Sequence, residues 1–387
     1  GGSPLARQRF RRLYAGAVFE RIYVHNYKCF VNFELHLDET SLLVGANGSG
    51  KTSVLDVLFA LKKLLAGEAK IADRIAFHPS TLTRWHNQTE QLFEMDVRAN
   101  GELYRYHLKI EHEPDSKQSH VAEESLVTSG KALFHCGRGT VQLYRDDGSE
   151  GPTYQADRSE SALARVVPQP SNKLLTNFMS AVHATVVCSI RPSMLGAESE
   201  RESLFLGRHG ENFVDWYRNT MQENPASVRN HVGALRDILD GFHEVHLQQT
   251  GLDHRALMMD FRAEGTTFKL RFDELSDGQR ALVVLYALLH LRENDGGVVL
   301  FLDEPDNFVA LSEIQPWLMA VVDLCEDTPS QAVICSHHPE LIDYLGSDAG
   351  LMLRREASAV SVSPFKSLDL PDCGLKLSEQ IARGWKK

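Results

Sequence analysis

Gly45-Ala46-Asn47-Gly48-Ser49-Gly50-Lys51-Thr52 decides how the rest of the chain is read. It fills the pattern G-x-x-x-x-G-K-[ST] in full, and its surroundings suit it. Before it, Ser41-Leu42-Leu43-Val44 is an unbroken apolar run, the mark of a strand buried on both faces. After it, Val54, Leu55, Leu58, Leu61 and Leu65 recur at helical spacing until Gly67 stops the run. Glycines in such a loop let the backbone bend until several N–H groups face inward, where they and the positive end of the next helix receive phosphate oxygens. Gly45, Asn47, Gly48, Ser49 and Gly50 are the expected cradle. Lys51 is expected to reach the β- and γ-phosphates, and Thr52 to ligand Mg²⁺.

Three later stretches extend this reading. Val298-Val299-Leu300-Phe301-Leu302 is a second buried strand, ending in Asp303-Glu304-Pro305. An Asp at such a strand end holds Mg²⁺, and the adjacent Glu304 is placed to polarise an attacking water as general base. Leu275-Ser276-Asp277-Gly278-Gln279-Arg280 precedes a helix that is apolar almost all round. Ser276 caps that helix and Gln279 completes a capping box, while Gly278 permits close packing. The same helix tip offers N–H donors and a positive dipole to a phosphate held by a second subunit. Ala332-Val333-Ile334-Cys335 is a third buried strand, ending in Ser336-His337-His338-Pro339. His337 is placed to hydrogen-bond a γ-phosphate, and His338 opens the next helix.

Composition bounds the rest. The chain has 387 residues, 43% apolar and 24% charged, which suggests two or three domain-sized units. Its densest apolar stretch, Ala281 to Leu289, is about half of a membrane span. With no secretory signal visible, a cytoplasmic protein without a membrane partner is expected. Gly1-Gly2-Ser3 reads as a cloning scar. The net charge of −11 excludes a generally basic nucleic-acid binder. A local patch from Arg7, Arg9, Arg11 and Arg12, or from Lys62-Lys63, leaves DNA or RNA open as a partner. The six cysteines (29, 136, 188, 325, 335, 373) form no C-x-x-C pair, which argues against a zinc site or a disulfide scaffold.

Along the chain, Arg21–Val24 and Phe33–Leu37 read as short strands. Residues 91–155 read as an antiparallel meander with tight turns at Asn100-Gly101 and Asp146-Asp147-Gly148. Residues 158–240 read as mostly helix and loop, broken by Pro168, Pro170 and Pro192. Strands return over 243–272, where His243-Glu244-Val245-His246 lacks the His-Glu-x-x-His spacing of a zinc helix and suits a strand with two solvated histidines. Residues 276–343 alternate helix and strand as a parallel sheet does. The expected division is an arm at 1–17, a first lobe at 18–157, a helical insertion or lid at 158–242, a second lobe at 243–355 and a tail at 356–387.

Together these residues resemble the ATP-binding cassette (ABC) ATPases, in particular the RecF/SMC/OLD-like branch of soluble AAA family ATPases. Gly45–Thr52 matches Walker A, Leu275–Arg280 the signature motif, Leu302–Pro305 the end of Walker B, and Ser336-His337 the switch histidine. The Asn26-Tyr27-Lys28-Cys29-Phe30 turn between two strands has the rhythm of that branch. The resemblance implies an α/β P-loop NTPase fold of ABC type, a mixed sheet core with an antiparallel β-subdomain and an inserted helical region. It implies ATP and Mg²⁺ as cofactors, with Glu304, Lys51 and His337 as catalytic residues and Thr52 and Asp303 on the metal. Two copies, or a higher homo-oligomer, would pack head to tail, with Ser276, Gly278 and Gln279 of one chain on the γ-phosphate bound by the other. A Q-loop glutamine is also implied, for which Gln88 and Gln91 are both candidates.

This chain departs from the pattern in places. Asp277 replaces the common signature glycine, which points to slow or regulated hydrolysis. Asp306-Asn307-Phe308-Val309-Ala310-Leu311 replaces the usual D-loop. The stretch after His337 is too short for an ordinary added nuclease domain, and Asp369 and Asp372 do not make the Asp-x-Asp pair of a Toprim nuclease. The expected function is an ATPase switch in DNA repair or anti-phage defence, read by a separate protein effector such as a nuclease, or by nucleic acid. The competing expectation is an ATP-gated scaffold that oligomerises and sequesters a protein with little turnover. The motor subunit of a transporter is disfavoured by the long stretch between Lys51 and Asp303.

Overall fold

The apolar runs read as doubly buried strands lie side by side. The computed structural model describes residues 16–113, 118–291, 297–368 and 374–384; the arginines at 7–12, Asp369, Asp372 and Cys373 lie outside them. Its central sheet has the order β10 (Val186–Cys188), β15 (Val299–Asp303), β16 (Gln331–Cys335), β3 (Thr40–Val44), β17 (Gly350–Glu356) and β18 (Ala359–Pro364). The first five are parallel, and β18 returns antiparallel to β17. Alternate residues of each central strand enter different cores. Leu43, Val299, Phe301, Val333 and Cys335 face one hydrophobic cluster, while Leu42, Val44, Leu300, Leu302, Ala332 and Ile334 face the other. Period-two alternation with both faces buried produces the unbroken apolar text of these segments.

The first core lies between this sheet, the helix α1 (Lys51–Leu65) and an eight-stranded antiparallel sheet. That sheet has the order β2 (Phe33–His36), β1 (Ala17–His25), β4 (Glu90–Ala99), β5 (Glu102–Glu113), β6 (Gln118–Thr128), β7 (Lys131–Gly137), β8 (Thr140–Tyr144) and β9 (Glu150–Gln155). The meander read over 91–155 is therefore present, with β1 and β2 added along its edge. Asn100 and Gly101 both adopt positive φ at the β4–β5 turn, as a two-residue hairpin requires. Helix α2 (Lys173–Ala184) packs on this core. Gln331 ties the two sheets together: its amide exchanges hydrogen bonds with Phe19 N and O, each 2.9 Å, from a fully buried position.

The second core joins the opposite face to α3 (Phe213–Glu223), α4 (Pro225–Ile238), α5 (Asp277–His290), α6 (Leu311–Asp327) and α7 (Pro339–Ala349). The buried Trp317 indole donates to Leu285 O at 3.1 Å, pinning α6 to α5. A small sheet of β11 (Glu198–Ser199), β13 (Arg255–Ala263), β12 (Phe242–Gln249) and β14 (Thr266–Arg271) covers one end. On β12, His243 accepts from Arg262 at 3.0 Å and His246 lies 3.4 Å from Asp260. The last helix, α8 (Leu377–Gly384), lies against α7. Among the described residues no helix is long and apolar enough to cross a membrane.

The proline-broken stretch 158–240 is not only helix and loop: β10 runs inside it and becomes the strand next to β15. At three residues it is too short to announce itself by periodicity.

Candidate functional site

Parallel pairing places three motif-bearing strand ends in a row. The register matches Asp303 with Cys335 and Cys335 with Leu43, so β15, β16 and β3 end level. The loop 45–52, the Asp303-Glu304 pair and Ser336-His337 therefore share one edge of the sheet, the carboxyl edge where open α/β sheets bind ligands.

The loop is built to leave donors free. Gly50 precedes α1 at φ 110°, in the left-handed region, and a Cβ there would meet the Phe30 ring at 2.9 Å. Only glycine allows both. Phe30 in turn stacks on Phe33, which explains the aromatic end of the Asn26–Phe30 turn. No side chain caps the α1 N-terminus and its first turn carries no acidic residue, so its N–H groups and dipole stay available to an anion. Ser49 Oγ is buried with no hydrogen-bond partner among the described residues. The buried Lys51 ammonium folds back to donate to Gly45 O at 2.7 Å.

The Thr52 hydroxyl stands beside the Asp303 carboxylate and favours its charged form. Burial pushes the Asp303 carboxyl up, and the Thr52 hydroxyl and the nearby Arg208 pull against that shift. A hydroxyl beside a buried carboxylate, next to an orphaned serine hydroxyl and a bare helix tip, suits a hard cation, which Thr52 and Asp303 would hold. Glu304 follows at φ 49°, a left-handed conformation that costs a non-glycine residue roughly 1 kcal/mol. Its N–H donates to Cys335 O at 2.8 Å, and its carboxylate takes Asn307 Nδ2 at 2.8 Å. His337 Nδ1 lies 3.3 Å from the other carboxylate oxygen, with half of its side chain exposed. His338 caps α7 by accepting from Glu340 N at 3.2 Å, so the two neighbouring histidines have separate roles.

A cleft of about 460 Å³ opens over this edge. Its lining includes the expected Asn47 to Thr52 and Glu304, whereas Gly45, Asp303 and His337 are not part of it; Lys28 of the Asn26–Phe30 turn joins it, as do Arg84, Trp85 and Arg355, which no motif marks. Arg355 lies over the Trp85 ring, 5.0 Å from its centre, and the indole N–H donates to Ser358 O at 3.0 Å. The cleft thus runs from the glycine loop to a cationic aromatic wall.

The serine–glycine turn does not line this cleft. Ser276 caps α5 as expected, accepting from Gln279 N at 3.2 Å, while Gln279 Oε1 accepts from Ser276 N at 3.1 Å. Ser276 and Asp277 are exposed, and Asp277 pairs with Arg280. Gly278 is packed so closely on the loop after β15 that a Cβ would meet Phe308 O at 2.7 Å.

Gln91 needs correction. It points inward from β4, is fully buried, and spends its amide on Asn26 O (2.9 Å), Thr81 Oγ1 (3.2 Å) and His112 Nε2 (3.0 Å). It is committed to the antiparallel sheet and does not face the cleft. The Gln88 side chain pairs with His25 at 2.9 Å and also stands outside the lining. The strand beside β15 is instead β10, whose end leads to Ser189 and to Arg208, folded back beside it. Arg208 reaches Asp56 on α1 at 3.2 Å. An isolated arginine in a loop carries no spacing pattern that would have revealed it.

A family model described as "AAA domain, putative AbiEii toxin, Type IV TA system" matches residues 41–343. Among solved structures, the chain is similar to the Smc head domain with an extended coiled coil bound to the C-terminal domain of ScpA, from Pyrococcus furiosus. That match has TM-score 0.55 and 13% identity over 96% of this chain and 100% of that one. It is also similar to an SmcHead bound to the C-winged helix domain of ScpA, with TM-score 0.53 and 14% identity over 89% and 96% of the two chains. At such identity the likeness establishes the fold alone, that of the Smc head domain. No curated protein matches the chain by sequence.

Proposed function

The chain belongs to this AAA-domain ATPase family, and on that premise we propose that it binds ATP with Mg²⁺ at residues 45–52 and hydrolyses it as a switch between two head-to-tail copies. One observation carries the reading: the level carboxyl ends of β3, β15 and β16, which gather Lys51, Thr52, Asp303, Glu304 and His337. Lys51 exchanges the loop carbonyl for β- and γ-phosphate oxygens, while the free N–H groups of the loop and α1 take the rest. Thr52 and Asp303 hold Mg²⁺, which when bound neutralises charge on the phosphates. Glu304 takes the proton of the attacking water, and His337 steadies both Glu304 and the γ-phosphate. Ser276, Gly278 and Gln279, turned away from their own cleft, close the cleft of a second copy.

The Smc heads crystallised with ScpA domains support a separate protein reader of the switch; a nuclease as that effector, or nucleic acid as the reader, is carried from the motif resemblance alone. We place that switch in DNA repair or anti-phage defence in the cytoplasm.

Steady-state ATP turnover of the wild type and of Glu304→Gln, with nucleotide binding and light scattering alongside, tests the reading. The variant is expected to keep ATP binding, accumulate as a dimer and lose roughly 10²- to 10⁴-fold in kcat. The Asp277 carboxylate at the α5 tip, where a phosphate would approach, favours the ATP-gated scaffold as second reading. Equal inertness of both proteins with intact ATP binding would decide for it.

A further inference from the structure

Arg208 belongs to none of the motifs, yet it sits behind the metal corner of the cleft. Ser189 donates its N–H to Arg208 O at 2.8 Å and Arg191 donates to His209 O at 3.2 Å. The returning segment therefore lays Arg208 against the carboxyl ends of β10 and β15. Its side chain is about nine-tenths buried. Nη2 donates to Asp56 Oδ1 at 3.2 Å, the guanidinium lies 5.7 Å from the centre of the Phe59 ring, and Nη1 is shielded with no acceptor among the described residues. Asp56 stands one helical turn beyond Thr52 on α1, so the two side chains share a face. Lys28 takes the other Asp56 oxygen at 2.6 Å from the cleft side. Asp303, beside Thr52, lies within reach of the same guanidinium charge.

Asp303 is buried, while Asp56 is partly exposed and already paired with Lys28; a buried guanidinium bonded to Asp56 and acting on Asp303 adds positive charge to this corner when no metal is present. A divalent cation arriving at Thr52 and Asp303 meets that charge at short range in a medium of low dielectric, where like charges repel strongly. We infer that Arg208 is a built-in counter-cation of the metal corner, holding it together without metal and raising the Mg²⁺ concentration at which nucleotide is gripped. The inference rests on the reading of Thr52 and Asp303 as metal ligands. It makes Arg208 a positioning residue that acts through Asp303 and Asp56. A guanidinium that only pinned its loop to α1 would leave the response to Mg²⁺ unchanged.

The full chain tests this by titration with a fluorescent ATP analogue in EDTA and in Mg²⁺, comparing wild type, Arg208→Gln, Arg208→Lys and Asp56→Asn. The ratio of the two affinities measures what Mg²⁺ adds. In Arg208→Gln that ratio is expected to rise on the order of tenfold, while the melting temperature of the metal-free protein falls. Arg208→Lys, which keeps the charge, is expected to keep the wild-type ratio. Asp56→Asn frees the guanidinium to bear on Asp303 alone and is expected to lower the ratio, which decides the matter if the glutamine variant does not fold. A ratio unchanged or reduced in Arg208→Gln, or raised in Asp56→Asn, overturns the inference while leaving the nucleotide site intact. A wild type that binds ATP in neither condition overturns the nucleotide reading, and this inference with it.

Discussion

His337 Nδ1 lies 3.3 Å from Glu304 Oε1, although the two residues leave different strands. The pair exists because β15 and β16 end level and because Glu304 turns back through a left-handed conformation, its N–H held by Cys335 O. Asn307 holds the second carboxylate oxygen, so the carboxylate is fixed from both sides. Removing the imidazole leaves the loop 45–52 untouched and frees one side of the Glu304 carboxylate. His337→Ala is expected to lower kcat by on the order of a hundredfold while the ATP dissociation constant stays within about twofold. Rapid-quench turnover beside equilibrium binding checks it; weakened binding with kcat unchanged would make His337 part of the binding surface alone.

The motifs were legible because each rests on a local rule. The loop 45–52 needs particular glycines, the Ser276–Gln279 box closes within one helical turn, and β3, β15 and β16 show their double burial as apolar runs. What was not legible is made by distant segments. Trp85 and Arg355 meet across most of the chain, and Arg208 reaches Asp56 from a loop with no periodicity. Gln91 was a candidate only because the resemblance implies a Q-loop glutamine, while its alternation within β4 points it into the core. β10, three residues long, was hidden among prolines.

Gln91 yields a prediction about stability. Its Nε2 serves Asn26 O, so its Oε1 faces His112 Nε2; the imidazole donates there and accepts from Ser119 Oγ at 2.8 Å through Nδ1. Gln91→Ala leaves those groups unpaired and is expected to cost about 1–3 kcal/mol of stability with ATP affinity unchanged. Urea denaturation and nucleotide titration check the two halves. Loss of nucleotide binding by a folded variant would restore Gln91 to the site. Burial holds His112 down, to about 4 from the usual 6.5. The unfolded chain takes up that proton first, so the stability of the neutral imidazole is complete above pH 6.5 and is lost as pH falls toward 4. The melting temperature of His112→Gln is expected to fall less than that of wild type across this window.

Trp85 offers a separate handle on the base. It lines the cleft, is 42% exposed, and is held by Ser358 and covered by Arg355. A nucleobase laid against this stack gains about 1–3 kcal/mol, whereas a chain of phosphates gains nothing from it. Trp85→Ala is therefore expected to weaken ATP binding by roughly five- to 150-fold and to leave inorganic tripolyphosphate binding unchanged. Competition of both ligands against a fluorescent nucleotide measures the difference. Parallel losses for the two would place the indole against phosphate and not the base.

Gly278 tests the two-copy arrangement most directly. Its Cα lies against the carbonyl of Phe308, and an added Cβ would stand 2.7 Å from that oxygen, so helix and loop would have to part. Phe308 already sits at φ 75°, in the left-handed region, so its backbone is strained before any Cβ is added. The turn does not line its own cleft, so the damage should spare ATP binding and fall on what the turn does elsewhere. In a Glu304→Gln background, Gly278→Ala is expected to bind ATP with wild-type affinity and to remain monomeric where the parent dimerises. Sedimentation with and without nucleotide reads both. Dimerisation as strong as the parent's would mean that the α5 tip is not what grips the neighbouring triphosphate, and the signature turn would then be a capped helix start packed on its own loop.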